Sequence, residues 1–351
     1  MSGKTKRKLY TIYLCVFGLA ALAGVVLLAY FGGYKQCERE FPWLVFAFAA
    51  VCLMNLSPNV LVHEGGHLLF GWLAGMRFYA LSVARLKINR RGVKWAGRQN
   101  VAGETQMIPR GGKGVRARTV VFALGGALSN FVYGGVFLAL FFVLPVTPAL
   151  LFFELFAPLS LFEGMTALFP VRLSAGRTDG EVLRGLILHL PEAENYLAVT
   201  TAQGLLFAGS YSSLPRELLF SAPVVAEDEP AFLALLSLRA RYLYSVGEEE
   251  AAFSALARLD GLKEYLPEEE AHALSAEIGL FRLASGKERE ESVCVGGTAG
   301  TILNVLAGKK PETEAEKAIK KEPLHGEREL FTLLWERGEK QNAIKTQSNG
   351  E

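Results

Sequence analysis

Residues 57–76 read SPNVLVHEGGHLLFGWLAGM. His63 and His67 stand four residues apart, Glu64 follows the first, and from Phe41 to Met76 Glu64 is the only charged residue. On a helix, positions i and i+4 share a face, so both imidazoles can reach one metal ion while Glu64 lies close enough to take a proton from water. Ionisable groups inside an apolar run are costly and mark function. A soluble metalloprotease would show a polar face on its other helices, and the three other apolar runs of this chain lack one. The stretch therefore predicts a membrane helix carrying a Zn²⁺ site.

Outward from this stretch, other apolar runs repeat the pattern. The first extends from Tyr10 to about Phe31, longer than a signal-peptide core, and reads as a retained membrane helix over residues 1–32. Three more spans are expected at 41–73, 120–144 and 148–171. The 41–73 run is too long to cross straight, so it is tilted, kinked at Pro58, or extends beyond the hydrocarbon. Lys4, Lys6, Arg7 and Lys8 precede the first span without an acid, and residues 85–118 hold ten Lys/Arg against one acid. By the positive-inside rule the chain is a multi-pass cell-membrane protein, with its N-terminus, C-terminal half and the histidine end of span two cytoplasmic.

Composition agrees with a membrane protein, at 51% hydrophobic and 21% charged. The net charge of +2 hides two unlike halves. Residues 1–176 carry 18 Lys/Arg against 6 acids, and residues 177–351 carry 19 against 29. The acidic half argues against a nucleic-acid partner. Four scattered cysteines make neither a disulfide framework nor a thiolate zinc site.

A catalytic zinc needs three protein ligands and an open position. His189, His272 and His325 are not obvious partners for His63 and His67. Carboxylates are better candidates: Glu154 and Glu163 in the fourth span, and Asp179 just after it. Asp179 lies on the cytoplasmic side, level with the histidines, whereas Glu154 falls nearer the outer face. Position alone does not choose among them. Glu163 can equally be a supporting group, a gate or the lining of a wet cavity. Between spans two and three, LSVARLKINRRGVKWAGRQNVAGETQMIPRGG alternates and is glycine-rich, which predicts short strands in a connector over 83–118. A basic loop on anionic headgroups is the plainer alternative. Gly125, Gly126, Gly134 and Gly135 suit close helix packing, and Asn130 among them asks for more.

With these residues in hand, the chain resembles the site-2 protease family of intramembrane zinc metalloproteases over roughly residues 41–190. The family's marks are a membrane HExxH, a glycine-proline-x-x-asparagine pattern, and asparagine-x-x-proline followed by Asp-Gly. HEGGH matches fully. Gly126 to Asn130 matches with Ala127 in place of proline, and ALFP keeps Pro170 with Ala167 in place of asparagine. Asp179-Gly180 matches after a longer gap. The resemblance implies a site-2-protease-like core with His63, His67 and Asp179 holding Zn²⁺ and Glu64 as the base. It also implies that Asn130, with Gly126 and Pro170, supports the active-site region or positions substrate. A β-hairpin beside the zinc, assigned to Gly103–Pro109, presents the substrate as an added strand. Spans, basic connector and cytosolic helices together look like a Gram-positive-type bacterial member.

After Arg177 no run is long enough to span. EVLRGLILHL, EPAFLALLSLRARYLYSVG, EEEAAFSALARLDGL and PEEEAHALSAEIGLFRLASG read as amphipathic helices with acidic starts and glycine ends. They suggest a tetratricopeptide-like helical array without a strict repeat period, able to offer a surface to a protein partner. The expected protein is thus a polytopic α-helical membrane protein with a metalloprotease core over 33–190, a cytoplasmic all-α domain over 191–340 and a flexible tail over 341–351. Its expected function is zinc-dependent hydrolysis of a membrane-spanning or membrane-bound protein near the cytoplasmic face. The alternative is a non-catalytic zinc-binding membrane scaffold. Ala127 and Ala167 favour it, and the intact Glu64 argues against it.

Overall fold

A computed structural model describes residues 3–53, 58–84, 86–89, 92–95, 103–173, 176–266, 268–287 and 297–348. The chain divides into two compact units, residues 1–108 with 114–190, and residues 109–113 with 191–351.

In the first unit, α1 (Gly3–Leu28) runs into a wider π-helical turn over Ala29–Tyr34, followed by α2 (Phe41–Leu53) and α3 (Pro58–Leu73). Three helical stretches, Thr5–Tyr34, Val115–Val143 and Pro148–Leu168, are long and apolar enough to cross a membrane. They become four if α2 and α3, bent by 50° from one another, form one span. Pro58 opens α3, where its missing N–H costs nothing. Only 17% of the most apolar window of the first stretch and 22% of the second are buried by the chain itself. Leu19, Leu22, Val26, Val132 and Val136 are among the exposed side chains. Backbone bonded within each helix and an apolar outer surface are what lipid requires, and the unit is that of a multi-pass membrane protein.

A turn at Gly75, with φ of +76°, ends α3 and sends the chain straight into β1 (Met76–Val83). Strands β2 (Leu86–Asn89), β3 (Gly92–Trp95) and β4 (Gly103–Pro109) complete a sheet of order β3-β2-β1-β4. Strand β4, the last of these strands in the chain, is therefore at an edge. The sheet begins earlier than the expected connector, because Gly75 leaves no loop, and helix α4 (Val115–Val143) starts inside that connector's C-terminal end. In the β2–β3 hairpin, Leu86 faces Trp95 and Ile88 faces Val93. These four share one exposed apolar face, while Lys87 and Lys94 share the other.

Helices α3 and α4 cross closely because Gly66 and Gly125 meet there: a Cβ on Gly125 would lie 2.6 Å from the Gly66 carbonyl oxygen. The span of α5 (Pro148–Glu154) and α6 (Ala157–Leu168) packs behind α4, with Ser160 donating to the Asn130 carbonyl at 3.1 Å. A short hairpin of β5 (Arg172–Leu173) and β6 (Gly176–Arg177) then leads into α7 (Asp179–Ile187).

The second unit is helical: α8 (Pro191–Leu206), α9 (Arg216–Phe220), α10 (Pro230–Ser245), α11 (Glu249–Gly261), α12 (Glu268–Ala284), α13 (Gly297–Leu306), α14 (Glu312–Lys320) and α15 (His325–Ser348). Gly247 and Gly308, both at positive φ, end α10 and α13 and turn the chain back. Leu235, Leu280, Phe281, Ile302 and Leu334 are fully enclosed in its core. Helix α15 continues to Ser348, through most of the stretch expected to be a flexible tail. KQNAIKTQS has neither proline nor glycine to stop it.

Candidate metal centre

Helix α3 carries His63, Glu64 and His67, as the i, i+4 spacing requires. The third member comes from α7. Thr178 caps that helix: its hydroxyl donates to the Phe169 carbonyl at 2.6 Å and accepts from the Glu181 amide at 3.3 Å. Gly180 lies directly under the Leu168 carbonyl, where any side chain would collide. The end of α6 and the start of α7 are thereby locked together, with Pro170 in the turn between them, and Asp179 projects toward the histidines.

The three side chains form a partly to fully buried His63–His67–Asp179 cluster able to hold a metal ion. The Nε2 atoms of His63 and His67 are 3.2 Å apart, and Asp179 Oδ2 lies 3.3 Å from the first and 3.4 Å from the second. Tetrahedral coordination with metal–ligand bonds near 2.0–2.1 Å separates neighbouring ligand atoms by about 3.3 Å. The observed triangle fits such an ion.

Ring orientation points the same way. His67 Nδ1 is 2.7 Å from the Phe122 carbonyl, which can only accept, so Nδ1 carries the hydrogen and Nε2 offers its lone pair. His63 Nδ1 is 3.2 Å from the side-chain amide of the fully buried Asn130. A half-turn of that amide sets its oxygen opposite Nδ1–H, as binding through Nε2 requires. Asp179 Oδ2 is buried and has no hydrogen-bond partner among the described residues. With both rings in the neutral Nδ1–H form, three lone pairs converge on one point. Burial opposes ionisation of Asp179, but bonding to the two rings, when they carry the extra proton, outweighs it and holds the carboxyl at about 2. The same three atoms can bind protons or a cation, and Asp179 is a carboxylate either way.

Around this triangle lies a cavity of about 390 Å³ lined by Glu64, by residues 103–105 of β4, and by Ala167 and Arg177. Glu64 is buried, stands outside the ligand triangle, and accepts a hydrogen bond from Thr105 at 2.6 Å. Gly126 backs the rings: a Cβ there would sit 2.5 Å from His67 Nε2 and 2.7 Å from His63 Nε2. Glu163 is not in the triangle. It accepts a hydrogen bond from Asn59, one helical turn before His63. Glu154 is buried beside Cys37 without a hydrogen-bond partner among the described residues, and is likewise outside the triangle. Thr105 and the Phe122 carbonyl carry no sequence pattern of their own, because each acts on a residue 41 or 55 positions away, and Gly103 entered only as the start of the expected hairpin. Thr178, with Glu181 three residues on, carries a helix-start signal that could have found it.

Comparison with protein-family models, with curated proteins and with solved structures finds no match to this chain.

Proposed function

We propose that this chain is a zinc-dependent intramembrane endopeptidase of the site-2 protease type, which hydrolyses a membrane-spanning or membrane-bound protein near the cytoplasmic face. The observation that carries this reading is the division of labour in one cavity: three converging ligand atoms, and a separate buried carboxylate on the same helix. A scaffold needs the first and has no use for the second. His63, His67 and Asp179 hold the ion. Zinc, when bound, supplies a Lewis acid that acidifies water and polarises the scissile carbonyl. Glu64 takes the proton from the attacking water and passes it to the leaving amine. Asn130 and the Phe122 carbonyl hold the two rings in the required tautomer.

Strand β4 supports the choice of substrate. It is an edge strand and residues 103–105 line the cavity, so an extended peptide pairing with it would have its carbonyls beside the ligand triangle. A helix keeps its carbonyls bonded until it unwinds, and strand addition captures the unwound form. Lys/Arg excess in the first turns of α1 and between β1 and α4 supports a cytoplasmic location for this cavity.

The test is zinc content and cleavage of a membrane-spanning test peptide in liposomes, for wild type, Glu64→Gln and Asp179→Asn. Wild type and Glu64→Gln are expected to retain zinc, Asp179→Asn to lose it, and wild type alone to cleave. Full zinc in Asp179→Asn moves the third ligand to Glu163. Wild type that takes up zinc but matches Glu64→Gln in cleavage leaves the scaffold standing instead.

A further inference from the structure

We propose that Thr105, on edge strand β4, is a positioning residue for the Glu64 carboxylate; this rests on the reading of Glu64 as the base. A glutamate has three rotatable bonds, and a base must be held to a fraction of an ångström to be effective. No residue of α3 itself is hydrogen-bonded to the Glu64 carboxylate among the described residues. What holds it is 41 positions away: Thr105 Oγ1 donates to Glu64 Oε2 at 2.6 Å, a length typical of a charge-assisted bond. The same hydroxyl is 3.2 Å from the Glu64 backbone carbonyl, which ties the strand to the helix at this one residue.

The rest of β4 supports the hydroxyl. Residues 103, 105 and 107 alternate to one face. Gly103 lies against the carboxylate, since a Cβ there would be 2.6 Å from both Cγ and Oε1 of Glu64. Met107 lies against Gly71, seven residues and two helical turns beyond Glu64 on the same side of α3. Glu104 and Gln106 point the other way and bond to each other at 2.8 Å. Register is therefore set at both ends of the strand, and it brings the Thr105 hydroxyl to Oε2. That leaves Oε1, which accepts no hydrogen bond among the described residues, as the oxygen for proton transfer. Thr105 keeps its own proton throughout; the proton that moves is water's, first to Oε1 and then to the leaving amine. Since β4 is also an edge strand among the described residues, the strand that anchors the base is one on which a substrate would pair.

The test uses the full zinc-loaded chain in detergent, titrated by calorimetry with a small peptide hydroxamate. A hydroxamic acid gives up its proton as it binds a metal, so its affinity depends on an acceptor in the position of Glu64 and needs no turnover. Wild type, Thr105→Val, Thr105→Ser and Glu64→Gln are compared at equal zinc content. Thr105→Val is expected to bind roughly 10–100-fold more weakly, the range for loss of an orienting partner. Thr105→Ser is expected to bind as wild type does. In the cleavage assay Thr105→Val lowers kcat with KM unchanged, and Thr105→Ser restores it. Wild-type affinity in Thr105→Val overturns the proposal, as does equal weakening in Thr105→Ser, which would make the contact one of packing. If Glu64→Gln binds the hydroxamate as tightly as wild type, it is the reading of Glu64 as base that fails, whatever Thr105 does.

Discussion

Two clusters of buried ionisable groups among the described residues, one in each unit, are built on opposite plans. In the helical unit, Arg241 of α10 donates to both carboxylate oxygens of Glu277 on α12 at 2.7 Å, to the Tyr211 hydroxyl at 3.0 Å and to Glu327 on α15 at 3.4 Å. The guanidinium of α10 supplies donors to groups from two other helices and a turn, so the cluster largely closes on itself. In the membrane unit no lysine or arginine pairs with Asp179 among the described residues, and its Oδ2 meets only the metal-facing nitrogens of two imidazoles. Buried polar groups are normally satisfied, and a set of lone pairs that converges without a donor asks for a cation from outside. One cluster holds helices together; the other is a site.

The comparison is broken most sharply by removing the internal cation. Arg241→Ala leaves Glu277 and Glu327 buried without their partner and is expected to cost about 3–5 kcal/mol, read as lost hydrogen-exchange protection across α10, α12 and α15. Zinc content should stay at the wild-type level. A cost under about 1 kcal/mol would put the cluster among ion pairs of surface strength.

A smaller effect is expected at the metal cluster's support. Asn130→Ala leaves all three ligand atoms in place but removes the group opposite His63 Nδ1, and should weaken zinc binding roughly 10–100-fold in a competition titration with a chelator. An unchanged affinity would mean that the ring is oriented by packing against Gly126 alone.

The smallest effect separates the two plans by pH. Burial pushes the Glu327 carboxyl up to about 7 from its usual 4.5; Arg241 opposes this, while Glu322 and Glu277 add to it. Its folded pKa is above its unfolded one, so the proton it retains favours the folded state below pH 4.5, and that contribution is lost as pH rises toward 7. The denaturation midpoint of the helical unit should therefore fall across this window, and Glu327→Gln should flatten the fall. A midpoint that rises over the same interval in wild type contradicts the assigned direction. Asp179 behaves oppositely: its carboxyl is held at about 2, so it remains ionised across the same window.

How much of this is legible in the chain depends on the distance over which each group acts. His63, Glu64 and His67 lie within one helical turn, so helix geometry alone relates them. The long apolar stretches and their basic flanks are equally local, and they identify the membrane helices without any tertiary contact. The third ligand is different. Glu154, Glu163 and Asp179 are all carboxylates downstream, and nothing in their spacing says which reaches the imidazoles. The fold chooses Asp179 through Thr178 capping α7 and Gly180 fitting under Leu168. Glu163 ends against Asn59 instead, and Glu154 beside Cys37.

The sequence by itself determined the metal-binding pair with its neighbouring carboxylate, the apolar spans and an amphipathic helical C-terminal half. These follow from periodicity and composition, which act over a few residues. Only the tertiary structure decided that Asp179 completes the triangle, that Asn130 and the Phe122 carbonyl orient the rings, and that Thr105 reaches Glu64. Each of those contacts joins groups 41 to 116 positions apart. Their geometry comes from helix crossings and strand register, which a one-dimensional pattern does not contain.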